Sequence, residues 1–294
     1  MSKEEPVEHH GIDVSEWVDR VRTDPVAHRQ RQATELILNA VAMSTLCSKL
    51  YLKGGVLMGL AYDSPRQTAD IDLTATFDLV ESTLDEVREV LDRTLSRARV
   101  QLGYDLLLAR VQKVVRHPRN KPDARFPALQ ITVGYAERGS AQAKRLDEGR
   151  AASTIAIDVS FNEETHGLQV LELTGGQNLY AYSLIDLMAE KYRAMLQQVV
   201  RNRSRRQDTY DLHRLISTGA LEGTDGDALL IALRAKCRSR DIEPTQDSLD
   251  DPEVRERAAR EWDTMGLELG KVPPFDECYT AARAFYRELP WDGG

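Results

Sequence analysis

The segment 53–72 concentrates residue types that do phosphate and metal chemistry. In ADIDL, Asp70 and Asp72 flank Ile71. In an extended strand, side chains two residues apart project from one face, so both carboxylates share a side while Ala69, Ile71 and Leu73 take the other. Two carboxylates side by side repel one another unless a cation joins them, and an all-oxygen site suits Mg²⁺ or Mn²⁺ when substrate phosphates complete the shell. A bare DxD equally describes two solvated acids on a sheet edge, so its surroundings matter. Ahead of the pair, Gly54 and Gly55 follow Lys53 and let backbone N–H groups turn toward an anion. Glycines for phosphate and carboxylates for metal make a functional pairing.

A third carboxylate lies in STIAIDVSFN, where Ile155, Ile157, Val159 and Phe161 alternate onto a buried face and leave Ala156, Asp158 and Ser160 on the other. If its strand neighbours that of Asp70 and Asp72, three carboxylates hold two ions that bridge a triphosphate and activate the attacking hydroxyl. Asp158 then stands in the general-base position; otherwise it is an exposed strand acid. Further along, Ser183 and Asp186 resemble a capping pair, and Leu184, Leu187, Met188 and Met195 form an apolar helical stripe with Lys191 in its middle. A lysine on that face either snorkels outward or meets an anion, for which a triphosphate is a candidate. Arg193 falls on the opposite side, where a solvated charge is expected. In RNRSRRQDTYDLHRL, Asp208, Asp211, Leu212 and Leu215 share one helical face. Asp208 reads as a helix-start residue, whereas Asp211 is placed to orient Lys191 or an arginine of the RNRSRR loop.

These residues need a scaffold. Pro25 after Asp24 starts a helical pattern within 13–50; residues 81–99 read as a helix, and 103–115, 127–136 and 153–161 as strands. From about residue 183 the pattern is helical, including Asp227 to Arg238, Pro252 to Leu269, and a last helix striped by Phe275, Tyr279, Ala282, Phe285 and Tyr286. That stripe is core packing or, less simply, a docking face. The expected division is an α/β portion over 1–175 and a helical portion over 176–294 that contributes Lys191 and Asp211 to the site.

Composition narrows the class. The chain has 294 residues, 41% hydrophobic and 29% charged, with a net charge of −8. No window approaches the ~20 apolar residues of a membrane span and the amino terminus has no apolar signal core, which predicts a cytoplasmic protein. Cys47, Cys237 and Cys278 are scattered without CxxC spacing, which argues against a disulfide framework or a zinc site and fits a reducing compartment. Against the acidic total stand two basic stretches: Arg110, Lys113, Arg116, Arg119, Lys121 and Arg125, with only Asp123 opposing, and Arg201, Arg203, Arg205 and Arg206. Either is solvated surface or a phosphate-binding patch, because phosphate responds to local potential rather than net charge.

The ordered set KGG, PRQTADIDL, AEKYRAML and RRQDTYDLHRL resembles the AbiEii/AbiGii-type nucleotidyltransferase toxins, the group that includes the mycobacterial MenT toxins. The resemblance spans residues 53–215. It implies a DNA polymerase β-like nucleotidyltransferase domain of α/β (α+β) class with a mixed sheet, followed by a helical domain. It also implies a toxin, paired with an antitoxin, that moves a nucleotide from an NTP to RNA, often the 3′ end of tRNA, with Mg²⁺. The resemblance matches Asp70 and Asp72 to the metal-binding pair, Gly54 and Gly55 to the phosphate-loop glycines, Lys191 to the helix-motif lysine and Asp211 to the second aspartate of the final motif. Beside these, the residues themselves add Asp158 as a third metal-binding and catalytic carboxylate, Lys53, Arg66 and Thr68 as nucleotide-binding candidates with Lys191, and Arg201, Arg203, Arg205 and Arg206 as RNA-binding candidates. One departure is Val56, where the family usually carries a hydroxyl; Thr68 offers one nearby. A protein or small-molecule acceptor, or a non-catalytic nucleotide-binding role, stays open on residues alone.

Overall fold

The computed structural model describes residues 8–291 except 67, 69, 81, 122, 220 and 222–224; the inward-facing role expected of Ala69 lies outside these residues. The chain divides into two compact units. One comprises residues up to 61, 68–163 and 168–181; the other comprises 62–67, 164–167 and 182 onward.

The first unit opens with β1 (Glu8–Ile12), α1 (Val14–Asp19) and α2 (Pro25–Ala42). Each helix starts where an aspartate satisfies its free amides: Asp13 accepts from the Glu16 N–H, and Asp24 from those of Val26 and Ala27, with Pro25 in the first turn. The helical pattern expected through residue 50 ends at Ala42, and β2 (Leu50–Lys53) enters the sheet instead, because Leu50, Leu52 and Lys53 are buried between neighbouring strands. Then come α3 (Gly54–Ala61), β3 (Asp70–Ala75), α4 (Thr83–Gln101), β4 (Leu107–His117), β5 (Ala128–Glu137), α5 (Ala141–Asp147), β6 (Ser153–Phe161), β7 (Leu168–Leu173) and β8 (Gln177–Tyr182).

Among the described residues, eight strands form one mixed sheet in the order β1-β7-β8-β2-β3-β6-β5-β4. The sequence shows β4, β5 and β6 by alternation, but β2, β7 and β8 have neighbours on both sides and bury successive residues, which erases the period of two. On one face of the sheet Leu73, Leu129, Ile131, Ile157 and Val159 meet Val41 of α2 and Val87 and Leu91 of α4. That face is the core; the other carries the carboxylates.

Glu35 is buried in α2, where Tyr104 and Ser15 donate hydrogen bonds to its two oxygens. Burial dominates those bonds and raises its pKa. A group whose folded pKa is raised contributes stability that is fully present below the unfolded pKa and lost as pH rises through the folded value. The urea midpoint should therefore fall as pH rises through the raised Glu35 pKa. Glu35→Gln, which keeps an acceptor for Tyr104, should flatten that slope; an unchanged slope would show that other groups set it.

The second unit contains α6 (Leu184–Gln197), α7 (Arg206–Ser217), α8 (Asp225–Arg238), α9 (Pro252–Ala259), α10 (Gly266–Leu269) and α11 (Phe275–Arg287). Because β8 belongs to the sheet, the boundary expected at 175/176 moves to 181/182. The helix expected over Pro252 to Leu269 breaks after Ala259, where Glu261 takes a left-handed conformation at φ 57°. The aromatic stripe of α11 is core: Tyr286 packs 5.2 Å from Tyr192, and the Tyr192 hydroxyl donates to the Ala282 carbonyl at 2.9 Å. Arg193 corrects another expectation. It is buried, paired with Glu190 and donating to Gln197 at 2.5 Å, because α6 is covered by α7, α8 and α9 and has no solvated side.

Ser183 caps α6 by accepting from the Asp186 N–H at 3.2 Å. The Asp186 carboxylate, however, turns to the 164–167 segment. It accepts from the amides of His166 and Gly167 at 2.6 and 2.8 Å and pairs with buried Lys236 at 2.7 Å. Cys47, Cys237 and Cys278 are free thiols; burial pushes Cys237 and Cys278 up to about 12. Among the described residues no helix is long and apolar enough to cross a membrane.

Candidate active site

Strands β3 and β6 run parallel, with Asp70 opposite Ala156 and Asp72 opposite Asp158. Cross-strand partners project to the same side, so Asp72 and Asp158 stand abreast on strands about 4.8 Å apart, and Asp70 follows two residues before. Ile71, Ile157 and Val159, on the other side, are buried and fix that facing. Burial of its carboxyl group, and then the charge of Asp158, raise the pKa of Asp70. Next to β6, β5 places Gln130 opposite Asp158, and its Nε2 donates to Asp158 Oδ1 at 3.2 Å. One oxygen of Asp158 is thereby oriented.

On the other side of Asp72, β2 pairs antiparallel with β3 and sets Lys53 opposite Asp72. Lys53 is 7% exposed and donates through Nζ to Ser160 Oγ at 3.3 Å, on the Asp158 side of β6. Gly54 follows at φ 70°, and a Cβ there would lie 2.0 Å from Asp72 Oδ2. Glycine is required twice over, for the left-handed turn and for the space the carboxylate fills. A Cβ on Gly55 would lie 3.1 Å from both Cβ and Oγ1 of Thr68, whose hydroxyl donates to the Asp70 carbonyl at 3.3 Å. The amides that open α3 are thus flanked by Asp72 and by the Thr68 hydroxyl.

This donor set fits Mg²⁺ or Mn²⁺ in kind: it is all oxygen, clustered on one face, and self-repelling without a cation. Among the described residues no group of three or more His, Cys, Asp or Glu side chains is placed to hold a metal ion. Mg²⁺ commonly takes one or two carboxylates and completes its octahedron with water and phosphate oxygens.

In the helical unit, Lys191 is buried and its Nζ lies 2.5 Å from Asp211 Oδ2 and 3.5 Å from Asp208 Oδ1. The same Asp211 oxygen accepts from Arg66 Nη1 at 2.5 Å, and Arg66 Nη2 donates to Gln207 at 3.0 Å. The anion that Lys191 meets in this structure is therefore a carboxylate of its own chain. Asp211 takes Arg66 where an arginine of RNRSRR was one expectation, because the 62–67 segment belongs to this unit. Sequence reasoning missed the bonds of Gln130 to Asp158 and of Arg66 to Asp211, since both join residues distant in the chain. The only signal for Gln130 is its place in the alternation of β5.

The sequence profile of the nucleotidyltransferase AbiEii toxins, of type IV toxin–antitoxin systems, matches residues 36–281. The chain belongs to this family. Among solved structures it is similar to MenT4, a nucleotidyltransferase toxin from Mycobacterium tuberculosis, at 15% identity and a TM-score of 0.59, covering 95% of this chain and 91% of that one. It is also similar to JHP933 from Helicobacter pylori, at 12% identity and a TM-score of 0.51, covering 90% and 92%. No curated protein matches it in sequence.

In this AbiEii chain Val56, where the resemblance expects a hydroxyl, belongs to the core: it is 1% exposed within α3, while the hydroxyl beside the glycines is that of Thr68. The arginines expected to bind RNA divide: Arg205 lies 3.6 Å from Asp208 and Arg206 2.6 Å from Glu261, whereas Arg201 and Arg203 are exposed.

Proposed function

We propose that this AbiEii toxin transfers the nucleotidyl group of an NTP to an RNA acceptor, in the first instance the 3′ end of tRNA, and so blocks translation. The observation that carries the reading is the in-register pair Asp72 and Asp158 beside a positive-φ glycine whose missing Cβ makes room for Asp72. Asp70, Asp72 and Asp158 would hold Mg²⁺ or Mn²⁺. When bound, the ion neutralises phosphate charge and stabilises the departing pyrophosphate.

The chain's own residues do the rest. The amides of Gly54 and Gly55 at the start of α3 and the Thr68 hydroxyl take phosphate oxygens, with Lys53 supplying positive charge. Asp158, oriented by Gln130, accepts the proton of the acceptor hydroxyl. Lys191, which the family resemblance gives to the nucleotide, is held within the helical unit by Asp211, with Arg66 beside it. Membership of a toxin–antitoxin family implies a cognate antitoxin as partner.

The test is incubation of the purified protein with total tRNA, Mg²⁺ and each of four labelled NTPs, against an Asp70→Ala/Asp72→Ala control. Label on tRNA that vanishes in the control supports the reading. Pyrophosphate release only when lysate is added points to a protein or small-molecule acceptor. No release at all leaves a nucleotide-binding protein without transfer.

A further inference from the structure

The carboxylate row has two flanks. On the β2 side stand Lys53, Gly54 and the start of α3, which the proposed reading gives to the donor's phosphates. The hydroxyl that Asp158 would deprotonate must therefore approach from the β5 and β4 side. That surface continues the same face of the sheet: in register, Asp70, Ala156, Thr132 and Lys113 form one row, and Asp72, Asp158, Gln130 and Val115 the next. Lys113 is exposed and lies two strands from Ala156, about 10 Å across the sheet.

Beyond β4, the 118–127 segment carries exposed Arg119, Lys121 and Arg125. It is tied to the end of β6: Asn162 Nδ2 donates to the Arg125 carbonyl at 2.9 Å, and the Phe161 N–H donates to the Pro127 carbonyl at 3.1 Å. Phe161 and Asn162 follow Asp158 by three and four positions. The Arg125 guanidinium stacks on the Phe126 ring at 5.3 Å, a platform of the kind that receives a nucleic-acid base. From Arg110 to Arg125 there is one acid, Asp123, in a chain of net charge −8. Exposed cations on an edge strand also discourage strand pairing, but that role does not require the basic segment beyond the strand to be moored beside β6.

Resting on the reading above, we propose that the backbone of the RNA acceptor runs over the part of this face carrying exposed Gln130 and Lys113, beside α5, whose Leu146 carbonyl accepts from Gln112, its phosphates held by Lys113, Arg119 and Lys121. The surface delivers the terminal hydroxyl to Asp158.

The experiment compares wild type with Lys113→Glu/Arg119→Glu/Lys121→Glu, using total tRNA as acceptor and thermal unfolding to confirm the fold. The KM for tRNA should rise at least about tenfold while the affinity for NTP holds. The slope of log affinity against log salt should flatten by about 2, roughly 0.7 for each single-strand phosphate that the variant no longer neutralises. The neutral variant Lys113→Gln/Arg119→Gln/Lys121→Gln should fall between the two. An unchanged tRNA KM and salt slope, with label still transferred, would overturn this surface and leave the proposed function standing. A defect confined to NTP affinity would overturn it too. If wild type labels no RNA with any NTP, the RNA reading fails and this surface fails with it.

Discussion

Asp72→Asn should lower nucleotidyl transfer by about 10³-fold while leaving the thermal unfolding midpoint within a few degrees of wild type. The substitution keeps the shape that fills the space left by Gly54, so packing is preserved. What it removes is a charge beside Asp158, on the face where the carboxylates of β3 and β6 stand in register. Losing a metal-binding charge takes several kcal/mol from transition-state stabilisation, and about 4 kcal/mol corresponds to three powers of ten. Gly54→Ala provides the steric counterpart. Its methyl group would occupy the position of the Asp72 carboxylate, and the φ of 70° disfavours any side chain. A comparable loss of transfer is expected, now with a lowered unfolding midpoint. Initial rates of pyrophosphate release with tRNA present measure both variants. Transfer by Asp72→Asn within tenfold of wild type would remove Asp72 from the chemistry.

Asp211→Ala should destabilise the helical unit by about 3–5 kcal/mol, because it strips the shared counter-charge from two cations at once. Asp211 is fully buried and meets Lys191 and Arg66, themselves about 5% and 10% exposed at the side chain. Asp208, 3.5 Å from Lys191, offers only partial compensation. Lys191→Met behaves differently, since Arg66 still answers Asp211 and methionine fits the apolar stripe of α6. Its urea midpoint should move much less than that of Asp211→Ala. A raised KM for NTP in this folded variant would then report a phosphate-binding role for Lys191 that stability cannot explain. Equal midpoints for the two variants would show that the pair is not what secures Asp211.

The strands that carry chemistry were legible for a physical reason. In β3 and β6 the carboxylates alternate with Ile71, Leu73, Ile155, Ile157 and Val159, because one face is packed and the other is open. The strands β2, β8 and β7, on the far side of β3 from β6, were not legible. Leu50 to Lys53 reads as the tail of a helix, and β7 and β8 bury consecutive residues, so neither displays a period that one sequence can reveal. Arg193 shows the same limit from the other direction. Helical periodicity assigns it an outward face, but α6 is enclosed and the charge is neutralised locally by Glu190.

Residue type and spacing by themselves determined the chemistry available to this chain: two glycines, a DxD pair, a further strand aspartate, and a lysine set in an apolar stripe, in an order specific enough to indicate the family. Tertiary structure alone decided which of these groups meet. The parallel pairing of β3 with β6 brings Asp158 to Asp72 across a sequence gap that no local pattern spans. The steric need for glycine at position 54 arises only because Asp72 occupies the place a Cβ would take, and Asp211 takes Arg66 because the 62–67 segment joins the helical unit. Local periodicity records which face of each element is buried, whereas register and long-range pairing depend on how separate elements share one core.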